Sequence, residues 1–559
     1  MTATAVAVPV TRASGSRQLA GTGALLRLAL RRDRIMIPVW VLVIGGSFMS
    51  VAQSFSALYD TAAERADVAR SMTTNSSVRA LYGPVFSDSL GGLTSWRMVG
   101  FGAALAAVMS LVVVVRHTRE EEETGCQEML SSAMVGRRAP LTAALLTALT
   151  ANAALALVIT AVVANYARTT DGTGGGPGGG PGAGGGDGQF AGALALGLAT
   201  AAVGMLFACT AAIAAQITEN ARLAKGMTAG VIGAAYVLKA AGDAAGDSGS
   251  SVLTWLSPLG WAENVRAFAD ERWWVLLIPL GSIAVQAVIA YTLAGRRDIG
   301  MSFLPARPGP AHGGLGTAGA LAWRLQRGGV LGWGAGFLLA GLIFGSITGG
   351  AAELVGDNEQ AREIFERMGG RQGLTDSFLA AMTGMLGMVA ALYVVSSVLR
   401  LYGEETGGRA EPVLAGPVGR LRWAAGHLLI AFGGAVLIML LGGLGLSLGY
   451  GQDLPGILGA SLVQIPAIWV LGALVVLLYG VFPRAAVAGW AVAGLALALG
   501  WLGPALDLPR WAMNLSPFGH LPKLPGAEMT WPPVLVLTAV AAALTAAGLA
   551  GLRRRDLLT

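Results

Sequence analysis

Long apolar runs, each closed by a short polar or glycine-rich stretch, recur along the whole chain. The hydrocarbon core of a bilayer, about 30 Å thick, takes roughly 20 mostly apolar residues in one helix. The pattern therefore predicts an all-α integral membrane protein with about 12 transmembrane helices. In the first half the runs lie at Ile35–Phe55, Met98–Val115, Pro140–Val163, Phe190–Ala215, Gly226–Ala241 and Trp273–Ala294. In the second half they lie at Val330–Ile347, Phe378–Leu399, Trp423–Leu446, Ile457–Val481, Ala485–Leu506 and Val534–Leu552.

Composition strengthens this reading. Of 559 residues, 54% are hydrophobic and only 13% charged, against roughly 25% charged in a soluble domain. A soluble core of this size has no room for so much apolar surface, so lipid must solvate much of it. Glycine, at 82 residues, is abundant, as expected where helices pack closely in lipid. All the basic residues except Lys225, Lys239 and Lys523 are arginine. They concentrate before Ile35, from Arg116 to Arg138, from Arg296 to Arg327, from Arg400 to Arg422 and after Leu552. By the positive-inside rule this predicts both termini on the cytoplasmic side of the cell membrane. The polar segment before Ile35 predicts no cleavable signal peptide, leaving the first helix as the uncleaved signal.

Three landmarks recur in the same order in both halves. Val114–Pro140 answers Val398–Trp423: each follows the second span and carries E-E-T-G, a later Glu and V-G-R. TWLSPLGWAENVRAF (Thr254–Phe268) answers NLSPFGHLPKL (Asn514–Leu524). AGRRDIG (Ala294–Gly300) answers AGLRRRDLL (Ala550–Leu558) after the last span of each half. The expected layout is a cytosolic segment at 1–34, a six-helix repeat at 35–300, a cytosolic linker at 301–329 and a second six-helix repeat at 330–559. A glycine-rich outer loop at 171–188 interrupts the first repeat. It has neither the Lys-Ser/Thr nor the preceding strand of a P-loop and reads as a flexible linker. Two parallel repeats imply a pseudo-two-fold axis along the membrane normal.

The loops after the second span exceed what a turn requires. Each opens on a carboxylate cluster, and helical spacing places Glu122 with Cys126, and Glu405 with Arg409, on one face. The plain reading is a solvated interfacial helix; the sharper one is a docking element, which its duplication suits to a two-fold partner. The L-S-P-x-G elements read as outer hairpins or aromatic anchors through Trp255 and Trp261. Lys239 and Asp243 are spaced to pair on one helix face, as a structural pair or as part of a proton relay. Met382, Met385 and Met388 form a stripe suited to helix packing or to soft apolar ligands. Cys126 and Cys209 suggest no disulfide, and His117, His312, His427 and His520 are too scattered for a metal site. Nucleotide-binding, metalloprotease and serine-hydrolase motifs are lacking, so the chain reads as no enzyme and any nucleotide belongs to another chain.

EEETGCQEMLSSAMVGRRAP, EETGGRAEPVLAGPVGR and RRDIGMSFLPARPGPA resemble the actinobacterial ABC-exporter permeases of the polyketide or tetronasin antibiotic type, within the ABC-2 group. SPLGWAENVRAF resembles the outer P-L-x-x-x-x-E/N-x-x-R stretch before the last helix of an ABC-2 unit. The resemblance spans nearly the whole chain. It implies a fused permease of two tandem, ABCG-like repeats, served by two copies of a separate ATPase subunit that binds ATP and Mg; this chain would hold no cofactor or metal. It implies coupling helices that rest on those subunits through Glu121, Glu122, Glu123, Thr124, Gly125, Glu128 and Arg137, and through Glu404, Glu405, Thr406, Gly407, Arg409, Glu411 and Arg420. It also implies a path lined by the second and fifth helices of each half, with Met98, Phe101, Met109, Tyr236, Met382, Met385 and Trp490 as candidates. The cargo would be amphipathic antibiotics or lipid-like molecules moving outward; nucleic acid is not an expected partner. In the first copy Cys126-Gln127 stands where Arg-Ala is expected, as at Arg409-Ala410. Two other readings remain open: an ion-gradient-driven multidrug transporter, and a scaffold that transports nothing.

Overall fold

The computed structural model describes residues 18–557 except 60, 75, 132–134, 172–185, 246–250, 299–300, 305–312, 314, 356–373 and 506–508. The glycine-rich loop falls almost entirely outside the described residues. The described regular structure is helical apart from one isolated bridge, Thr218 to Leu304. The chain divides into two compact units, Met1–Pro308 and Gly309–Thr559.

In the first unit the long helices are α1 (Met36–Leu58), α2 (Leu90–Val115), α3 (Ala139–Asp171), α4 (Gly186–Ile217), α5 (Ala221–Ala245) and α6 (Leu277–Arg296). A short helix, Thr22–Arg32, precedes α1, and two more, Val252–Leu256 and Pro258–Asn264, form a hairpin between α5 and α6. Helix α2 starts where the Ser89 hydroxyl accepts from the Gly92 N–H at 3.0 Å, an N-cap that satisfies an orphan donor. It runs on through a π-helical segment, Arg116–Glu120, to Glu123. Helices α2 and α4 form the centre and pack on α3. By contrast α1 and α6 present rows of exposed apolar side chains, Val39, Leu42, Val43, Leu280, Val285 and Val288 among them. With few polar atoms to offer, those rows suit lipid.

In the second unit the long helices are α7 (Ala318–Val355), α8 (Leu374–Thr406), α9 (Arg420–Tyr450), α10 (Leu454–Val463 continued by Ile465–Val481), α11 (Gly489–Ala505) and α12 (Trp531–Arg554). Asp453 caps α10 by accepting from the Gly456 N–H at 3.1 Å. Helix α7 begins twelve residues before the expected span, inside what the sequence suggests as linker. Among the described residues eleven helices are long and apolar enough to cross a membrane. The exception to the expected twelve is α5, whose Arg222, Lys225, Lys239 and Asp243 make it amphipathic rather than uniformly apolar.

Glycine sets the closest helix contacts in the second unit. A Cβ on Gly341 would lie 2.1 Å from the Gly442 carbonyl, and one on Gly445 would lie 2.1 Å from the Leu338 carbonyl. Gly345 and Gly449 repeat the arrangement one turn on, so α7 and α9 meet backbone to backbone along a small-xxx-small seam. Any side chain there must force the helices apart. We expect Gly445→Val to lower the stability of the purified protein by about 1–3 kcal/mol, read as a fall in Tm in detergent. Gly433→Ala, at a position with open space around it, serves as the control that leaves Tm unchanged.

Candidate functional site

The two recurring charged landmarks of each half meet. In the first unit Glu122, at the end of α2, receives Arg297 from just beyond α6: Nη1 donates to Oε2 at 2.8 Å and Nη2 pairs with Oε1. Arg119 completes the carboxylate's shell, and Arg137, before α3, donates to the Arg297 carbonyl at 2.8 Å. In the second unit Glu405 receives Arg555 in the same two-pronged fashion, both contacts at 2.7 Å. Tyr479 of α10 supplies the third contact, and Arg420 donates to the Arg555 carbonyl at 2.6 Å. The Glu122 and Glu405 side chains are 5% and 2% exposed. Each clasp ties the end of a unit's second helix, the start of its third and the end of its last.

This placement corrects the sequence reading in two ways. First, Glu122, Glu404 and Glu405 are not free faces of a solvated helix. Glu122 and Glu405 are buried in the clasps, and Glu404 is held by Arg409, whose Nε donates to it at 3.0 Å. Second, the shared E-E-T-G letters are one residue out of register. The structural equivalents are Gly125 and Gly408, each left-handed (φ 72° and 69°) at the helix end, and each N–H bonds back to the carbonyl of Glu122 or Glu405. From these glycines the count to Arg137 and Arg420 is the same. Upstream, Val114 to Gly125 is one residue longer than Val398 to Gly408. The π-helical segment of α2 absorbs that extra residue, as such bulges do.

The other docking candidates divide by exposure. Glu123, Thr124, Glu128, Thr406, Gly407, Arg409, Glu411 and Arg137 are exposed, whereas Glu121, Gly125 and Arg420 are half-buried. Glu123 also accepts from the Ala221 N–H at 2.5 Å, and so caps α5. Glu120 pairs with Lys225 on the same helix. Glu121 pairs with Arg32 at 2.9 Å and faces His117, whose other nitrogen is 2.6 Å from Asp33. The loop is therefore wired to the helix before α1 and to α5, links that no spacing within the motif announces.

The cavity candidates do not form one group. Met98 and Met109 are buried in the first unit's core. Phe101 and Tyr236 do come together, ring centres 6.0 Å apart, with Tyr82 5.8 Å from Phe101 and Arg97 over the Tyr82 ring. In the second unit Met382 packs on Leu379, Leu446 and Ile457, Met385 is half-buried, and Trp490 is exposed at the start of α11. A small cavity there is lined instead by Met388, Gln464, Met513 and Phe518.

A charged cluster holds the hairpin of the first unit. Lys239 reaches Asp243 on its own helix and Glu263 on the hairpin, both at 2.6 Å, and the Thr254 hydroxyl donates to Asp243 at 2.9 Å. All four are buried. The i, i+4 spacing gave Lys239 and Asp243; Glu263 comes from the SPLGWAEN stretch, and only the fold reveals its link to Lys239. Burial pushes the Glu263 carboxyl up to about 7, with Lys239 pulling it down and Asp243 pushing it further up. The described residues contain no cluster fit to hold a metal ion.

Comparison with known proteins gives this geometry its context. Residues 315–553 match the family model for the C-terminal domain of the multidrug efflux system permease Rv1217c. Over 546 residues the chain is 41% identical to the multidrug efflux system permease protein Rv1217c of Mycobacterium tuberculosis (strain ATCC 25618 / H37Rv), covering 96% of this chain and 95% of that protein. The chain belongs to this efflux permease family. The apolar helices and this kinship make it a multi-pass membrane protein, so the clasps are parts of a permease.

Two outcomes follow. Removing one partner of a buried ion pair leaves an uncompensated charge, so Glu405→Gln or Arg555→Gln is expected to cost about 3–5 kcal/mol. The exchanged pair Glu405→Arg with Arg555→Glu should recover part of that loss in a thermal melt. For Glu263, the folded value of about 7 lies above the free value of 4.5. Its contribution to stability is therefore complete below the free value and is lost as pH rises through about 7. Tm measured on either side of that pH should show the fall, and Glu263→Gln should flatten it.

Proposed function

We propose that the chain is the transmembrane subunit of an ABC-2-type exporter that moves amphipathic or hydrophobic compounds, antibiotics among them, out of the cell. In this reading the two units are tandem six-helix repeats in the plasma membrane, with both termini cytoplasmic. The chain itself carries out no chemistry: two copies of a separate subunit bind ATP and Mg and rest on the loops after α2 and α8. The single observation that carries the reading is the clasp present in each unit. It fixes an otherwise exposed loop, Glu123–Glu128 or Thr406–Glu411, to three long helices at once. A force applied at such a loop is passed to the unit as a rigid body. Cargo would pass along the second and fifth helices of each unit; in the first unit Phe101 and Tyr236 meet there.

The buried Lys239–Asp243–Glu263 cluster is the observation that favours a second reading, a transporter driven by an ion gradient, since ionisable groups inside such proteins often carry protons. It has no counterpart on α11, whose sequence GWAVAGLALALGWLGPA is wholly apolar. That weighs for a structural role.

Co-purification of this chain with the ATPase encoded beside it, followed by hydrolysis assays in nanodiscs, separates the two readings. A complex of one permease with two ATPases, its hydrolysis stimulated by cargo, supports the exporter. Proton-driven drug uptake by vesicles containing this chain alone supports the second reading. Because Glu128 and Glu411 are exposed and outside the clasps, reversing both to Lys should weaken ATPase capture about tenfold or more, with Tm measured alongside to confirm that the variant is folded. Capture at the wild-type level would remove these loops as the docking surface.

A further inference from the structure

The helix before α1, Thr22–Arg32, has two faces with different partners. On one, Ala29 is buried, Arg32 pairs with Glu121, and Asp33, immediately after the helix, meets His117 and Arg116. Backbone bonds from Gly136 to Ala20 and from Arg138 to Gln18 fix the entry to this helix. On the other face lie Arg27 and Arg31, followed by Arg34 in the turn after the helix, at i, i+4 and i+3 spacing and all exposed. They line an open groove with Gly23, Leu26 and Leu30. No carboxylate among the described residues pairs with these three arginines; the nearby acids, Asp33 and Glu121, are already engaged on the opposite face. Directly beyond Arg34 the chain enters α1, whose Ile35, Val39, Leu42 and Val43 are exposed as a lipid-facing row.

We propose that this groove binds the headgroup of an anionic membrane phospholipid: Arg27, Arg31 and Arg34 take the phosphate, and Leu26 and Leu30 take the start of the acyl chains. Charge complementarity selects the occupant, because the groove offers cationic charge that no carboxylate among the described residues pairs, at the point where an apolar helix surface begins. Guanidinium groups match phosphate oxygens two at a time, and basic clusters beside a membrane helix attract acidic lipids. The helix is then held on one side by protein and on the other by lipid. The site is independent of which subunit supplies energy and of what is exported.

The test uses the full-length protein reconstituted in nanodiscs containing both phosphatidylglycerol and phosphatidylcholine, re-extracted, and analysed for retained lipid by native mass spectrometry. The wild type should retain phosphatidylglycerol over phosphatidylcholine. Joint replacement R27Q/R31Q/R34Q should reduce that retention about tenfold or more, whereas R27K/R31K/R34K keeps part of it. Tm in detergent confirms that each variant is folded. Equal retention by wild type and the glutamine variant would overturn the proposal. So would displacement of the lipid by inorganic phosphate alone, which would mark an anion site. A change in oligomeric mass in place of lipid loss would also overturn it, making the groove a contact between copies of this chain.

Discussion

A carboxylate withdrawn from water has to bring its counter-charge with it, and in this protein that requirement fixes where the polar ends of the helices go. Glu122 and Glu405 are almost sealed, so Arg297 and Arg555 must meet them, and the helices bearing those arginines follow. Most of the remaining surface in the spans is apolar and carries little directional information; greasy helices in lipid gain nothing from one apolar neighbour over another. The few charged groups and the glycine seams therefore do the specifying. In the second unit these are Glu405 with Arg555 at one end of the helices and the Gly341–Gly345 and Gly445–Gly449 approach along their length.

The clasp also explains why the loops after α2 and α8 are long. Each must carry a helix-ending glycine, cross to an arginine that holds the last helix, and start a new span. Residues left over from that task, among them Thr124, Glu128, Thr406 and Glu411, are the ones that face outward. Structural duty and display are thus separated by a residue or two within one short segment, and a motif that looks uniform is divided between the interior and the surface.

Much of this was legible in the sequence. Apolar run length located the helices, because the bilayer imposes a minimum length that few other structures share. Order of landmarks gave the recurrence, and V-G-R gave the correct register through Arg137 and Arg420. The shared E-E-T-G letters misled because four identical residues outweigh a one-residue difference in spacing, and a π-bulge leaves no mark in composition. Burial of Glu122 and Glu405 was illegible for a related reason: a run of glutamates reads as solvated unless the distant arginines are known to arrive. Glu263 was hidden in the same way, being distant in sequence from Lys239 and joined to it by a hairpin turn. The path residues implied by the resemblance are not gathered in one place, and Met98 and Met109 lie in the packed core of the first unit.

The charged cluster at Lys239 has no equivalent on α11, although the glutamate and the two arginines of each clasp correspond between the units. In an assembly of two identical chains every substitution appears twice, and a charge useful on one side must be tolerated on the other. Carrying both units on one polypeptide lifts that condition. One side is then free to acquire a polar lock while the other stays greasy, and selection can act on the difference between them as a trait of its own.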